Sequence, residues 1–194
     1  MSDKETKPSS ASTQPSRRDF IKTGSSMLVA GGAMAGTLSL ARSAHAFGSD
    51  QIKIGLVGCG GRGTGAADQA MNTEGDTKLV AVGDVFEDRM SSCLRSLSSR
   101  HSKQVDVPKE RQFVGFDCYK KVIESDIDLV ILATPPGFRP LHFETAVNAG
   151  KHVFMEKPAA ADPAGVRRAI AAAKTAEAAG LCIVAGTQRR HEAR

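Results

Sequence analysis

Three adjacent residues, Glu156, Lys157 and Pro158, close a short apolar run from His152 to Met155. In an open parallel sheet, ligands sit beyond the carboxyl ends of the strands. A lysine delivered there can donate to a substrate hydroxyl or stabilise developing negative charge, so Lys157 is the candidate catalytic residue. Glu156 is expected to form an ion-pairing couple with it, and Pro158 to stop the strand. Taken alone, the triplet fits a surface strand end equally well, so the rest of the chain has to decide.

The second group is Gly58-Cys59-Gly60-Gly61-Arg62-Gly63, directly after a strand-like run from Ile52 to Val57. Gly58, Gly60 and Gly63 match G-x-G-x-x-G, a motif that needs a tight strand-to-helix turn and close backbone approach to a pyrophosphate. The helix N-terminus behind it offers free N–H groups and a positive dipole end. Asp84 follows Gly63 by 21 residues, at the end of a second strand pattern. A carboxylate there accepts hydrogen bonds from ribose hydroxyls and repels a 2′-phosphate, which favours NAD over NADP. Val85 and Phe86 come next, with Arg89 within reach of such a phosphate. A methyltransferase shares a glycine turn and an acid after the second strand, but has no use for the segments further on.

Those segments are Ala133-Thr134-Pro135-Pro136, where two prolines make a rigid turn without backbone donors, and Gly186-Thr187-Gln188-Arg189-Arg190-His191 after the last strand pattern. The latter reads equally as a basic surface turn.

The elements that have to position these residues alternate strand and helix, the mark of a parallel α/β sheet. Strands are expected at Ile52–Val57, Lys78–Gly83, Leu129–Ala133, His152–Met155 and Leu181–Ala185, within a sheet of about six. The Leu129 run is unbroken and apolar, as for a strand buried on both faces. Helices are expected from Thr64 to Met71, over 87–100, and at Asp117–Glu124 and Pro140–Ala149, with 101–112 as a loop. Asp162 reads as an N-cap with Pro163 at the first position of a further, alanine-rich helix that ends at Gly180.

In this order, the run from Leu129 to Pro158 resembles the Glu-Lys-Pro signature region of the Gfo/Idh/MocA oxidoreductases, and the resemblance covers essentially all of residues 51–194. It implies a Rossmann-type, doubly wound, mostly parallel α/β domain that binds NAD, with NADP possible, over residues 51–186. It also implies hydride transfer at a hydroxyl of a sugar or cyclitol, with Lys157 facing substrate. Gly58, Gly60, Gly61, Arg62, Gly63, Asp84, Thr134, Pro135, Glu156 and Gln188 then form the cofactor-binding set. Residues 187–194 would begin an α+β substrate domain that family members oligomerise through, and the resemblance leads us to expect a truncated form without it. A non-catalytic nucleotide-binding module or an inactive fragment is the alternative reading. Arg139 stands where many members carry a histidine. That departure puts a simple transfer of the histidine's role in doubt, with His142, one turn on, reading as a helix-surface or packing residue and His152, inside the strand, as a satisfied core histidine.

The first 46 residues differ in kind. Ser16-Arg17-Arg18-Asp19-Phe20-Ile21-Lys22 is a twin-arginine pattern, followed by a Gly/Ala-rich stretch and the small-x-small site Ala44-His45-Ala46. The stretch is too diluted by glycine and serine for a stable membrane span, so a cleaved leader and export to the periplasm are expected. Six basic and three acidic residues sit in that leader, so the formal net charge of +5 falls to +2 without it. With one Tyr and no Trp as well, nothing supports nucleic-acid binding. Cys59, Cys93, Cys118 and Cys182 form no CxxC pair, so no metal site is indicated. Cys59 and Cys182 lie in or beside apolar strands and are expected to be buried thiols.

Overall fold

The computed structural model describes residues 51–192; the twin-arginine leader lies outside them. Six strands form one sheet: β1 (Ile52–Val57), β2 (Thr77–Asp84), β3 (Gln112–Val114), β4 (Leu129–Leu132), β5 (His152–Glu156) and β6 (Ile183–Gly186). The order is β3-β2-β1-β4-β5-β6, and every pairing is parallel. Two runs of crossovers leave β1 in opposite directions, so the topological switch point falls between β1 and β4. That is where a doubly wound sheet opens a ligand crevice.

The connecting helices are α1 (Gly61–Met71), α2 (Glu87–Arg100), α3 (Cys118–Glu124), α4 (Arg139–Asn148) and α5 (Pro163–Ala178), with a short α6 (Gln188–His191) after the last strand. They cover both faces because alternate strand residues point to opposite sides. Ile54 and Leu56 pack with Ala66, Met90 and Leu97 of α1 and α2. Val57 packs on the other face with Val122, Phe143 and Ala172 of α3, α4 and α5. In β4, Val130 and Leu132 serve one cluster while Ile131 serves the other, so this strand is buried on both faces as its unbroken apolar run predicts.

The structure departs from the sequence reading at several boundaries. Helix α1 begins at Gly61, not Thr64, so the second half of the glycine turn, Gly61 to Gly63, lies in the helix's first turn. The stretch 101–112 is not simply a loop. Val105 bridges to Leu79, a 3-10 turn spans Lys109–Arg111, and Gln112 opens β3. In β2 the register shifts opposite Ile54/Gly55, where Leu79 and Ala81 face successive residues and Val80 is extra. That β-bulge turns Val80 and Ala81 to the same cluster. Cys182 is exposed, contrary to expectation, because it precedes the edge strand β6; Cys59, Cys93 and Cys118 are buried.

Candidate functional site

A cleft of about 720 Å³ opens at the carboxyl ends of the strands. All eleven residues that the sequence singles out line it, from the glycine turn and Asp84 to Thr134, Pro135, Glu156, Lys157 and Gln188.

The glycine turn is shaped by backbone contact. Gly58 has φ 94°, and a Cβ there would lie 2.9 Å from the Ala133 carbonyl carbon. A Cβ on Gly63 would lie 1.8 Å from the Gly58 carbonyl oxygen. Gly60 and Gly61 are different. Gly60 would meet only the Arg89 guanidinium, at 3.4 Å, and Gly61 nothing within 4 Å. Their bare backbone faces the cleft, so the space that side chains would fill is available to a ligand. Gly60 provides no side-chain cap for α1, and no acid stands in its first turn. The positive end of the helix is therefore unopposed within its own element.

Asp84 is 9% exposed and serves the turn as well as the cleft. One carboxylate oxygen accepts from the Cys59 N–H at 2.5 Å, the other from the Phe86 N–H at 2.9 Å. Each oxygen retains a further acceptor site, so ribose hydroxyls can still be held. Phe86 and Phe116 are exposed round the mouth, and the Arg89 guanidinium lies 5.5 Å from the Phe86 ring centroid. Flat apolar surface beside a ribose acceptor suits a purine base.

At the opposite end, Glu156 and Lys157 are not the couple that the sequence suggests. Successive residues at a strand end point to opposite sides. Glu156 is buried, and its Oε1 lies 2.6 Å from Arg62 Nη2. Lys157 is exposed in the cleft wall, and among the described residues its ammonium has no ion pair. The Lys157–Pro158 peptide is cis. Gly186 leaves room for Glu156, since a Cβ on it would lie 2.9 Å from Oε1. Gln188 opens the short α6 and donates to Glu192 Oε1 at 2.9 Å.

Three cleft residues outside the expected binding set complete the walls. His142 is buried, not on the helix surface; its ring stacks on Tyr119 with centroids 4.0 Å apart, and its Nδ1 lies 3.2 Å from Thr134 Oγ1. Burial, and then the charge of Arg139, push its pKa down to about 4, so it is neutral at pH 7. Arg139 donates to the carbonyls of Thr134 and Pro158. Phe116 lies beyond any motif, and only its place after the Gly115 turn brings it to the cleft. His152, by contrast, lies outside the cleft and accepts from the Cys182 N–H at 2.9 Å, satisfied as expected but half-buried at the start of β5, not in the core.

These residues fit a dinucleotide. Open glycine backbone and an unopposed helix end suit the pyrophosphate, Asp84 with its aromatic rim suits the adenosine, and Thr134, Lys157 and Gln188 remain for the other mononucleotide.

Known proteins are similar to this chain in sequence and fold. Residues 52–184 match the Gfo/Idh/MocA family, described as an oxidoreductase family with an NAD-binding Rossmann fold. A protein of Bacteroides fragilis named glycosyl hydrolase family 109 protein 1 is 32% identical over 113 residues, which is 57% of this chain and 23% of that protein. The structure of scyllo-inositol dehydrogenase from Lactobacillus casei superposes with a TM-score of 0.58 at 28% identity, over 74% of this chain and 38% of that one. The same enzyme is known with NAD(H) and scyllo-inositol bound. A putative myo-inositol dehydrogenase from Sinorhizobium meliloti gives a TM-score of 0.54 at 26% identity, over 72% and 37% of the two chains. The chain thus spans about a quarter of the length of the curated relatives it matches. Because the family's NAD-binding Rossmann model spans residues 52–184, most of the chain, this chain belongs to the Gfo/Idh/MocA oxidoreductases.

Proposed function

We propose that the cleft binds NAD and that the protein is an oxidoreductase acting on a hydroxyl of a sugar or cyclitol. One observation carries the reading. Asp84 at the end of β2, Gly60 and Gly61 just after β1, and Lys157 just after β5 line a single crevice across the topological switch point, in the order a dinucleotide would need. When bound, the nicotinamide supplies hydride chemistry; the protein supplies binding, orientation and electrostatics. Gly60 and Gly61 admit the pyrophosphate to the start of α1, where backbone N–H groups hold it. Asp84 accepts from the adenosine ribose, and its buried carboxylate opposes a 2′-phosphate, so NAD is favoured. Lys157 Nζ donates to the substrate hydroxyl oxygen, orienting it and offsetting negative charge that develops there.

The dehydrogenase neighbours support a polyol-type substrate, with scyllo-inositol held by one of them. The glycosyl hydrolase name of the Bacteroides relative supports a second reading, NAD-dependent glycoside hydrolysis. Net accumulation of NADH with a free polyol belongs to the first reading, and sugar release without it belongs to the second. The twin-arginine pattern at Arg17 and Arg18 supports export to the periplasm, and residues 187–194 read as the approach to a substrate domain.

Titration of the purified protein with NADH and NADPH by fluorescence tests the cofactor assignment. Binding of NADH in preference to NADPH is expected, and the Asp84→Ala variant should lose more affinity for NADH than for NADPH. No binding of either at millimolar concentration would sink the dinucleotide reading. Equal losses in the variant would remove the ribose role of Asp84.

A further inference from the structure

Arg139 is 3% exposed, unusual for a residue type that is almost never fully buried unless paired. It opens α4, and its two terminal nitrogens reach different walls of the cleft. Nη2 donates to the Thr134 carbonyl, just past β4, and Nη1 to the Pro158 carbonyl, just past β5. The β4–β5 ladder has already ended there, its last pair being Leu132 with Met155. Among the described residues no backbone hydrogen bond joins the two turns. The guanidinium therefore takes the place of the missing ladder. Its Nε is buried without a hydrogen-bond partner, and Glu156, whose charge favours the guanidinium, pairs with Arg62. Burying a charge on these terms is costly, and the sheet is already held together without it.

We propose that Arg139 is a positioning residue that sets the spacing between the Thr134 turn and the Lys157–Pro158 turn. The inference rests on the dinucleotide reading and deepens it. Asp84 marks the adenosine end of the cleft, so the two turns bound the nicotinamide end, across the switch point. Arg139 then holds Lys157 against the nicotinamide side and leaves the adenosine side untouched. A guanidinium suits the task because its planar fork carries five N–H donors in fixed directions, whereas an ammonium is a point charge on a flexible stem.

The test compares NADH with ADP-ribose, which keeps the adenosine and pyrophosphate but lacks nicotinamide. Affinities for both are measured by calorimetry on the full chain, as wild type, Arg139→Lys and Arg139→Gln, with thermal melting alongside. The expected result is a fall of about tenfold in NADH affinity for both variants, equivalent to roughly 1.4 kcal/mol, with ADP-ribose affinity unchanged. A parallel loss for both ligands would mean that Arg139 only supports the fold, and would overturn the proposal. So would full NADH affinity in Arg139→Lys, because charge without the two-carbonyl bridge would then suffice. If Arg139→Gln does not fold, Arg139→Lys decides alone. A wild-type chain that binds neither ligand would mean that the dinucleotide reading itself had failed.

Discussion

A Cβ on Gly63 would lie 1.8 Å from the Gly58 carbonyl oxygen, whereas one on Gly60 would meet only the far end of Arg89 at 3.4 Å. The first contact is with backbone that cannot withdraw, so Gly63 is demanded by the fold. Gly60 has φ −69° and ψ −179°, a conformation open to any residue, so neither packing nor backbone geometry requires a glycine there. A ligand does, if its pyrophosphate approaches that backbone. Gly60→Ala should therefore melt at nearly the wild-type temperature while NADH affinity falls by about tenfold or more. Unchanged affinity in a well-folded variant would show that no ligand passes over Gly60. Asp84 belongs at this scale too. Its spacing suggests a ribose acceptor, and the structure adds that it holds the Cys59 and Phe86 N–H groups, so its removal acts on the turn as well as on the ligand.

Among the elements, α5 shows how directly local chemistry can be read. Asp162 caps it by accepting from the Gly165 N–H at 2.8 Å, and Pro163 occupies the first position, where no N–H is missed. Asp162→Ala should cost about 1 kcal/mol in chemical denaturation; no loss would mean that water replaces the cap at no cost. Strand β3 is the opposite case. Its three residues, Gln112 to Val114, pair with the end of β2 at the sheet edge. A strand so short has no period to detect, and only its partner makes it a strand. The early start of α1 has a similar cause. Glycine is a poor helix former, so the motif carries no helical signal of its own, yet α1 starts at Gly61 and the Thr64 N–H donates to the Gly60 carbonyl at 2.9 Å.

For the whole molecule, His142 links the site to stability. It is buried between Tyr119 and Thr134, with its pKa pushed down to about 4 by burial and then by Arg139. In the unfolded chain a histidine titrates near 6.5. The unfolded state therefore takes up the proton first as pH falls, and stability drops from about pH 6.5 down to about pH 4. The contribution is fully present above that window and lost below it, with a size on the order of a few kcal/mol. Urea denaturation at a series of pH values should show the decline, and His142→Gln should flatten it; an equal slope in both proteins would place the pH dependence elsewhere.

Order along the chain determined a good deal by itself. Alternating strands and helices specify the parallel sheet. The glycine motif and the spacing to Asp84 specify a crevice at its switch point, and all eleven residues singled out line that crevice. These are local signals, because periodicity, turns and caps depend on residues a few positions apart. Pairings across the cleft were not legible. Glu156 meets Arg62 and not its neighbour Lys157, Arg139 spans two carbonyls, and His142 stacks on Tyr119. Only the tertiary structure decided these contacts, because strand register and helix packing set which way each side chain points, and both depend on parts of the chain far from the residues themselves.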